Sequence, residues 1–341
     1  MLRPRSKTRN WGATLRDLEA DKAPVRANAV ADLPAHVEDH REEVLARLRG
    51  ALDDEPEVRA AAAIAAADAA LPELTEALVT ATNDDDEQVV GAALTALGEL
   101  RATEGAEAVK RCLKHPAGPV RFQAVIAYPR VNPDGAIDAL LRATEDDDAF
   151  VRHIALRMAE EVGGPEGEVI DNRFISRARA LLDDESDAVR VAAAVILGRL
   201  GRRDGAALLA QVAAREVITS EADDESAAIE LCGELRIDAA REPLRKRGFS
   251  RVFLVQHDPF AWQARVALAA MGDMEARGWI IKELDAWTRE RRTLAVAAAG
   301  LARLSGARPK LEAMRADPKR AEPEAVDEAL ALIEAHDRSE T

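Results

Sequence analysis

Apolar positions recur along most of this chain with the period of a helix rather than a strand. In one clear stretch Val189, Ala193, Ile196, Leu197 and Leu200 fall at i, i+4, i+7, i+8 and i+11, on a single helical face. A shorter helical segment accompanies each such stretch; in PDGAIDALLRATE, from Pro133, the apolar face is Ile137, Leu140 and Leu141. Pro133 stands where a first helical residue loses nothing by lacking an N–H. Acidic residues precede the longer helices, where a carboxylate accepts orphan amide protons and meets the positive end of the helix dipole. Gly198 and Gly201 lie near a helix end, as C-terminal glycines do. Neither helix of a pair can bury its stripe alone, so the pairs must stack.

The pairs form a repeat. An acidic cluster, Val-Arg and an Ala-rich apolar run read DKAPVRANAVADL from Asp21, DDEPEVRAAAAIAAA from Asp53 and DDDEQVVGAALTALGEL from Asp84. The series continues as HPAGPVRFQAVIAY from His115, DDDAFVRHIALRMAEEVG from Asp146 and DDESDAVRVAAAVILGRLG from Asp183. Copies stand about 31–38 residues apart, the spacing of helix-pair solenoids. Fainter copies are DDESAAIELCGEL, FAWQARVALAAMGD and RRTLAVAAAGLARLSG. The pattern predicts an all-α, right-handed α–α superhelix of about nine helix pairs. Residues 1–10 are expected to be a disordered basic lead and 11–320 one continuous solenoid, irregular from about 215. Residues 321–341 read as a terminal capping helix and tail.

The motif Asp-x-x-x-Val-Arg-x-x-Ala-x-x-x-Leu-Gly, as in Asp54 to Ala62 and Asp147 to Ala155, resembles the short bacterial HEAT-like repeats found in phycocyanobilin lyases. The resemblance covers about 20–300. It implies a solenoid of a kind that mostly binds partners and only occasionally catalyses, and a structural ladder made from the repeated Asp and Arg.

Composition narrows the function. With 47 Lys and Arg against 62 Asp and Glu, the net charge is -15, which argues against the basic face of a nucleic-acid binder. Aromatic residues make up only 3% while hydrophobic residues reach 48%, much of it alanine, so the interior suits closely packed helices and not a β-sandwich. No apolar run is long enough to span a membrane and no secretory h-region opens the chain, so a cytoplasmic location is expected.

Several residues carry candidate roles. Arg26, Arg59, Arg121, Arg152 and Arg190 should project from equivalent positions, with Val90 leaving a gap in the third unit. Each is expected to pair with a helix-capping acid of its own or a neighbouring unit, such as Asp54, Asp86, Asp147 or Asp187; the alternative is a basic stripe for phosphates or acidic peptides. The acidic turns lack the spacing of a calcium loop. His36 and His40 have i, i+4 spacing but not the order of a zinc protease, and no His precedes a Glu, as the HEAT-like iron hydroxylases would require. Cys112 and Cys232 sit on apolar faces some three repeats apart, about 30 Å, too far for a disulfide. No metal and no cofactor is expected.

From Arg245 the chain reads RKRGFSRVFLVQHDPFAW, which breaks the repeat and is locally basic and aromatic. Phe249, Arg251, Phe253, His257, Phe260 and Trp262 are therefore candidate partner-binding residues, since aromatics and arginine anchor interfaces. The alternative is a larger C-terminal unit whose aromatics thicken the core. The function expected is a non-catalytic protein–protein interaction scaffold or regulatory adaptor in bacterial signalling or assembly. Two alternatives remain: a bilin lyase-type enzyme holding a tetrapyrrole in a concave groove, and a HEAT-like nucleic-acid binder. The partner is another protein, with no nucleic acid and no membrane span.

Overall fold

A computed structural model describes residues 9–163, 172–219, 222–249 and 258–339. The described residues form twenty α-helices, joined by turns and six short 3-10 segments, with no strand among them. The chain divides into two compact units, Met1–Arg177 and Ala178–Thr341.

The first unit holds five helix pairs: α1 (Trp11–Leu18) with α2 (Ala23–Asp32), α3 (Val37–Ala51) with α4 (Pro56–Asp68), α5 (Thr75–Ala81) with α6 (Glu87–Glu99), α7 (Ala106–Cys112) with α8 (Gly118–Val131), and α9 (Ala136–Ala143) with α10 (Ala149–Gly163). The second helices stack on one another in order, α2 on α4, α4 on α6, α6 on α8 and α8 on α10. Each is covered by its partner, which is the shorter helix in every pair of this unit but α3 with α4. Helix α11 (Asn172–Leu181) crosses the boundary between the units, and the second unit continues with α12 (Asp187–Arg199) and then repeats the scheme with α13 (Ala206–Ala213) and α14 (Ala222–Glu234), α15 (Arg241–Phe249) and α16 (Ala261–Ala270), α17 (Met274–Glu283) and α18 (Arg289–Leu301), and α19 (Arg308–Arg315) and α20 (Pro323–Ser339). The helix expected as a terminal cap is thus the second member of the last pair, packed against α18 and α19.

Small residues let these helices approach. At the same register position of three second helices stand Gly98, Gly233 and Gly300. A Cβ there would come within 3.1 Å of Ala127 Cα, 2.5 Å of Ala267 Cα and 2.7 Å of Ala329 Cα, respectively. Gly198 occupies the same position, where a Cβ would lie 2.8 Å from Leu231 Cδ1, so it serves close packing and not the helix cap. The cap is the next glycine: Gly201 takes φ +71°. Six second helices end this way, with a left-handed residue followed by an amide that reaches five residues back, as Leu71 N–H does to Ala66 and Ile237 N–H to Cys232. Arginine fills the left-handed position at Arg101, Arg236 and Arg303.

Candidate functional site

The arginine ladder is the most regular polar feature of the first unit. Arg26 donates through Nε and Nη2 to the two oxygens of Asp54 at 2.9 and 2.6 Å, and through Nη1 to the Ala20 and Asp21 carbonyls at 2.8 and 3.0 Å. Arg59 does the same to Asp84 at 2.8 and 2.7 Å, and Arg121 to Asp146 at 2.8 and 2.7 Å. Each guanidinium therefore clamps its own turn to the next repeat's acid, a bidentate arrangement stronger than a neutral hydrogen bond. Arg152 grips its own turn, donating to the Asp146 and Asp147 carbonyls at 2.9 and 3.1 Å. Arg190 bonds the Asp184 carbonyl at 3.0 Å and pairs with Asp187 of its own helix.

Two of the expected carboxylates are displaced by this geometry. The partner of Arg59 is Asp84 and not Asp86, because the Asp86 carboxylate already caps α6 through the Gln88 and Val89 amides at 2.8 and 3.4 Å. The partner of Arg121 is Asp146 and not Asp147. In both turns the accepting Asp is pinned two residues ahead of the cap, where its own carboxylate takes the amide of Asp86 or Asp148 at 2.9 Å. Arg26 holds the Asp54 carboxyl below its usual range, and Arg59 does so for Asp84. Burial alone would raise Asp146; Arg121 and the Asp148 amide outweigh it, and the net shift is downward.

The described residues of the basic, aromatic segment of the second unit are likewise engaged with their own fold. Arg247, with a side chain only 7% exposed, donates to Glu225 at 2.6 Å, to Asp258 at 2.9 and 3.1 Å and to the Ala213 carbonyl at 3.1 Å. Arg215 reaches the same two acids at 3.1 and 3.3 Å, closing a four-membered network. Arg245 pairs with Asp273 and Glu275. Arg265 lies 5.4 Å from the Phe249 ring and 4.3 Å from the Trp279 ring, and donates to the Gly248 carbonyl at 2.7 Å. Trp279 meets Trp262 edge-on at 4.8 Å, and Arg247 stands 5.5 Å from the ring of Phe260. Phe249, Phe260 and Trp262 are half-buried and pack against the core of this unit. Arg251, Phe253 and His257 lie outside the described residues.

The two thiols are buried, and burial raises both; Cys232 is pushed up to about 12. His40 stacks on Trp11 with ring centroids 4.3 Å apart, and His36 tilts against the same ring at 5.2 Å. Among the described residues no group of three His, Cys, Asp or Glu is gathered as a metal site, and no helix is long and apolar enough to cross a membrane.

Among the described residues large apolar side chains stand exposed at Phe150, Ile218, Met274 and Trp287, and two more share one face of α18. Leu294 and Leu301 are 56% and 54% exposed, seven residues apart on one helical face with exposed Ala297 between them. Exposed Leu332 of α20 lies beside Gly300: its Cδ1 is 3.4 Å from where a Cβ on that glycine would stand. Trp287, in the turn before α18, is 97% exposed. A small dent opens at the ends of α14, α16 and α18, lined by Ala270, Leu301, Ala302, Glu234 and by Arg236, Arg277 and Arg303. The sequence carried a signal for this face. The position of Leu301 is held by Asp68, Glu99, Arg130, Glu161, Arg199 and Glu234 in six other repeats, so α18, like α16 with Ala270, is apolar where those six are charged.

A HEAT-repeat family model matches residues 41–128. Comparison with curated proteins finds no match. Among solved structures, Kap95p in its complex with RanGDP shares 14% identity at TM-score 0.53, covering 94% of this chain and 51% of its own, so the chain spans about half its length. An engineered protein shares 17% identity at TM-score 0.45, covering 94% of this chain and 98% of its own. The complex of CpcE and CpcF of phycocyanin lyase from Nostoc shares 17% identity at TM-score 0.44, covering 71% and 96%. The HEAT-like resemblance read from the repeats is matched by the family model, and the fold is an all-α solenoid of that type.

Proposed function

We propose that this protein is a non-catalytic scaffold or regulatory adaptor that holds another protein, and that the second unit offers the surface through the outward face of α18. The observation that carries the reading is the exposure of Leu294 and Leu301, at 56% and 54%, on a helix whose opposite face is buried. Apolar groups left in water beside charged neighbours mark places where association removes them from it. The ladder arginines and the four-membered network spend their charge inside the fold, and the α18 face groups two exposed leucines on one helix where Phe150, Ile218 and Met274 stand on separate segments. A cytoplasmic role in bacterial signalling or assembly fits this surface, because an adaptor needs recognition and no reacting groups.

Affinity capture from native lysate tests the reading with two chains in parallel, the unaltered protein and Leu294→Asp/Leu301→Asp. Both sites are exposed, so the variant should keep its helical circular dichroism and melting temperature. The expected result is a partner retained by the first chain and lost by the second. Identical captures from both would remove the α18 face from the function.

A further inference from the structure

The dent beside Leu301 tells more about what the partner brings. Three arginines line it, Arg236 from the end of α14, Arg277 from α17 and Arg303 from the end of α18, against one acid, Glu234. Several other arginines of this unit are matched to carboxylates, Arg245 to Asp273, Arg247 to Asp258, Arg289 to Glu322 and Arg308 to Asp337, while Arg265 and Arg292 donate to backbone carbonyls. The guanidinium groups of Arg236 and Arg303 make no hydrogen bond or ion pair within the described residues, and Arg277 donates only to the Ala269 carbonyl at 3.0 Å. On a chain of net charge -15, an arginine-lined hollow with no carboxylate bridging Arg236 or Arg303 is a local reversal of sign.

The backbone adds a second observation. Arg236 and Arg303 hold φ of +51° and +52°, in the turn position that glycine occupies at Gly201 and Gly272 in the neighbouring repeats. Glycine takes that conformation freely, whereas a side chain there costs about 1 kcal/mol. Two arginines thus sit on the same edge at a conformational cost, two repeats apart, with no ion pair within the described residues. Burial raises the Glu234 carboxyl, and Arg303 acts on it only through a longer-range field that opposes the rise. The hollow is mostly polar and His336 of α20 also lines it, but Ala270, Leu301 and Ala302 bring apolar surface to its edge, and Leu301 shares its helical face with Leu294.

We infer that this hollow and the α18 face together bind an acidic, leucine-bearing segment of a partner protein, its carboxylates on Arg236, Arg277 and Arg303 and its apolar side chains on Leu294, Leu301 and Leu332. The inference rests on the scaffold reading and names the partner chemistry of the same surface. Arginine suits the task because its planar fork meets a carboxylate with two donors, and removal of each such pair weakens binding about tenfold. The charge would steer encounter and the apolar contacts would set residence, so binding falls as salt screens the arginines.

A fluorescent helical peptide of about three turns, leucine on one face and glutamate on the other, is the probe, with a lysine-for-glutamate peptide as its control and the full chain as receptor. The glutamate peptide should bind and the lysine peptide should not. R236E/R303E should weaken binding about a hundredfold while the melting temperature holds, because both side chains are exposed. Added inorganic phosphate should compete no better than chloride at equal ionic strength. Equal binding of both peptides, unchanged binding by R236E/R303E, or selective displacement by phosphate would each overturn the inference. Failure here with capture still lost in Leu294→Asp/Leu301→Asp leaves the scaffold reading standing and removes only the acidic partner.

Discussion

The two units solve the same packing problem with different means. In the first, arginine and aspartate alternate at fixed positions, and each pair ties one turn to the next: Arg26 to Asp54, Arg59 to Asp84, Arg121 to Asp146. In the second, that register gives way to a local cluster in which Arg215 and Arg247 share Glu225 and Asp258, and Arg265 lies against Phe249 and Trp279. A ladder distributes its support evenly, so losing one rung is a local event. A cluster concentrates it, so losing one member strands several charges. The regular unit reads as framework. The irregular one carries the open apolar face on α18, where charged residues stand at the same position of six other repeats.

Four changes sharpen this contrast. The largest effect should come from Gly233→Val, whose Cβ would stand 2.5 Å from the Ala267 backbone. That helix cannot move away without opening the core of the second unit, so urea melts should show a loss of about 3 kcal/mol or more, the range of severe overpacking. Arg247→Met comes next, because it leaves Glu225 and Asp258 facing each other in a half-buried site with only Arg215 between them; about 3 kcal/mol is expected by the same measurement. Arg121→Gln in the ladder should cost about 1 kcal/mol, since its pair is partly solvated and the neighbouring rungs remain. If the two arginine variants cost the same, the distinction between ladder and cluster fails. The smallest change, Gly278→Ala in α17, should raise stability by about 0.5–1 kcal/mol, since open space surrounds that position and alanine favours the helix.

Acid titration gives an independent comparison. Asp54, Asp84 and Asp146 titrate below their ordinary value in the folded chain. A depressed folded pKa means that the unfolded chain binds protons first, so the ladder contributes fully above the ordinary aspartate value of about 3.9 and fades as pH falls below it. The stability gap between the unaltered chain and Arg121→Gln should therefore be constant from neutral pH to about 5 and shrink below about 4. A gap that widened on acidification would contradict the assignment of Asp146 as the partner.

Much of this architecture was written in periodicity. The helix pairs, their spacing and the arginine positions follow from patterns that repeat, because a stacking face and a clamp must recur wherever a unit recurs. The accepting acids were legible only to within two residues: DDDEQVV offers three aspartates, and only turn geometry shows that Asp84 takes Arg59 while Asp86 takes the amides. The aromatic segment was visible as an anomaly, but whether Phe249 and Trp262 face the core depends on Arg265 and Trp279, which meet them from 16 and 17 residues further along the chain on other helices. Conversely, Leu301 hid inside a faint repeat because a leucine in a helix reads as core by default. Only its alignment with Asp68, Glu99 and Glu234 marks it as turned to solvent.

The most direct measurement is the paired capture of partners by the unaltered chain and by Leu294→Asp/Leu301→Asp, with Arg121→Gln as a folded control altered in the other unit. A scaffold that docks through α18 predicts one partner set shared by the unaltered chain and the Arg121 variant and missing from the leucine variant. Recovery of the same proteins by all three chains would contradict it.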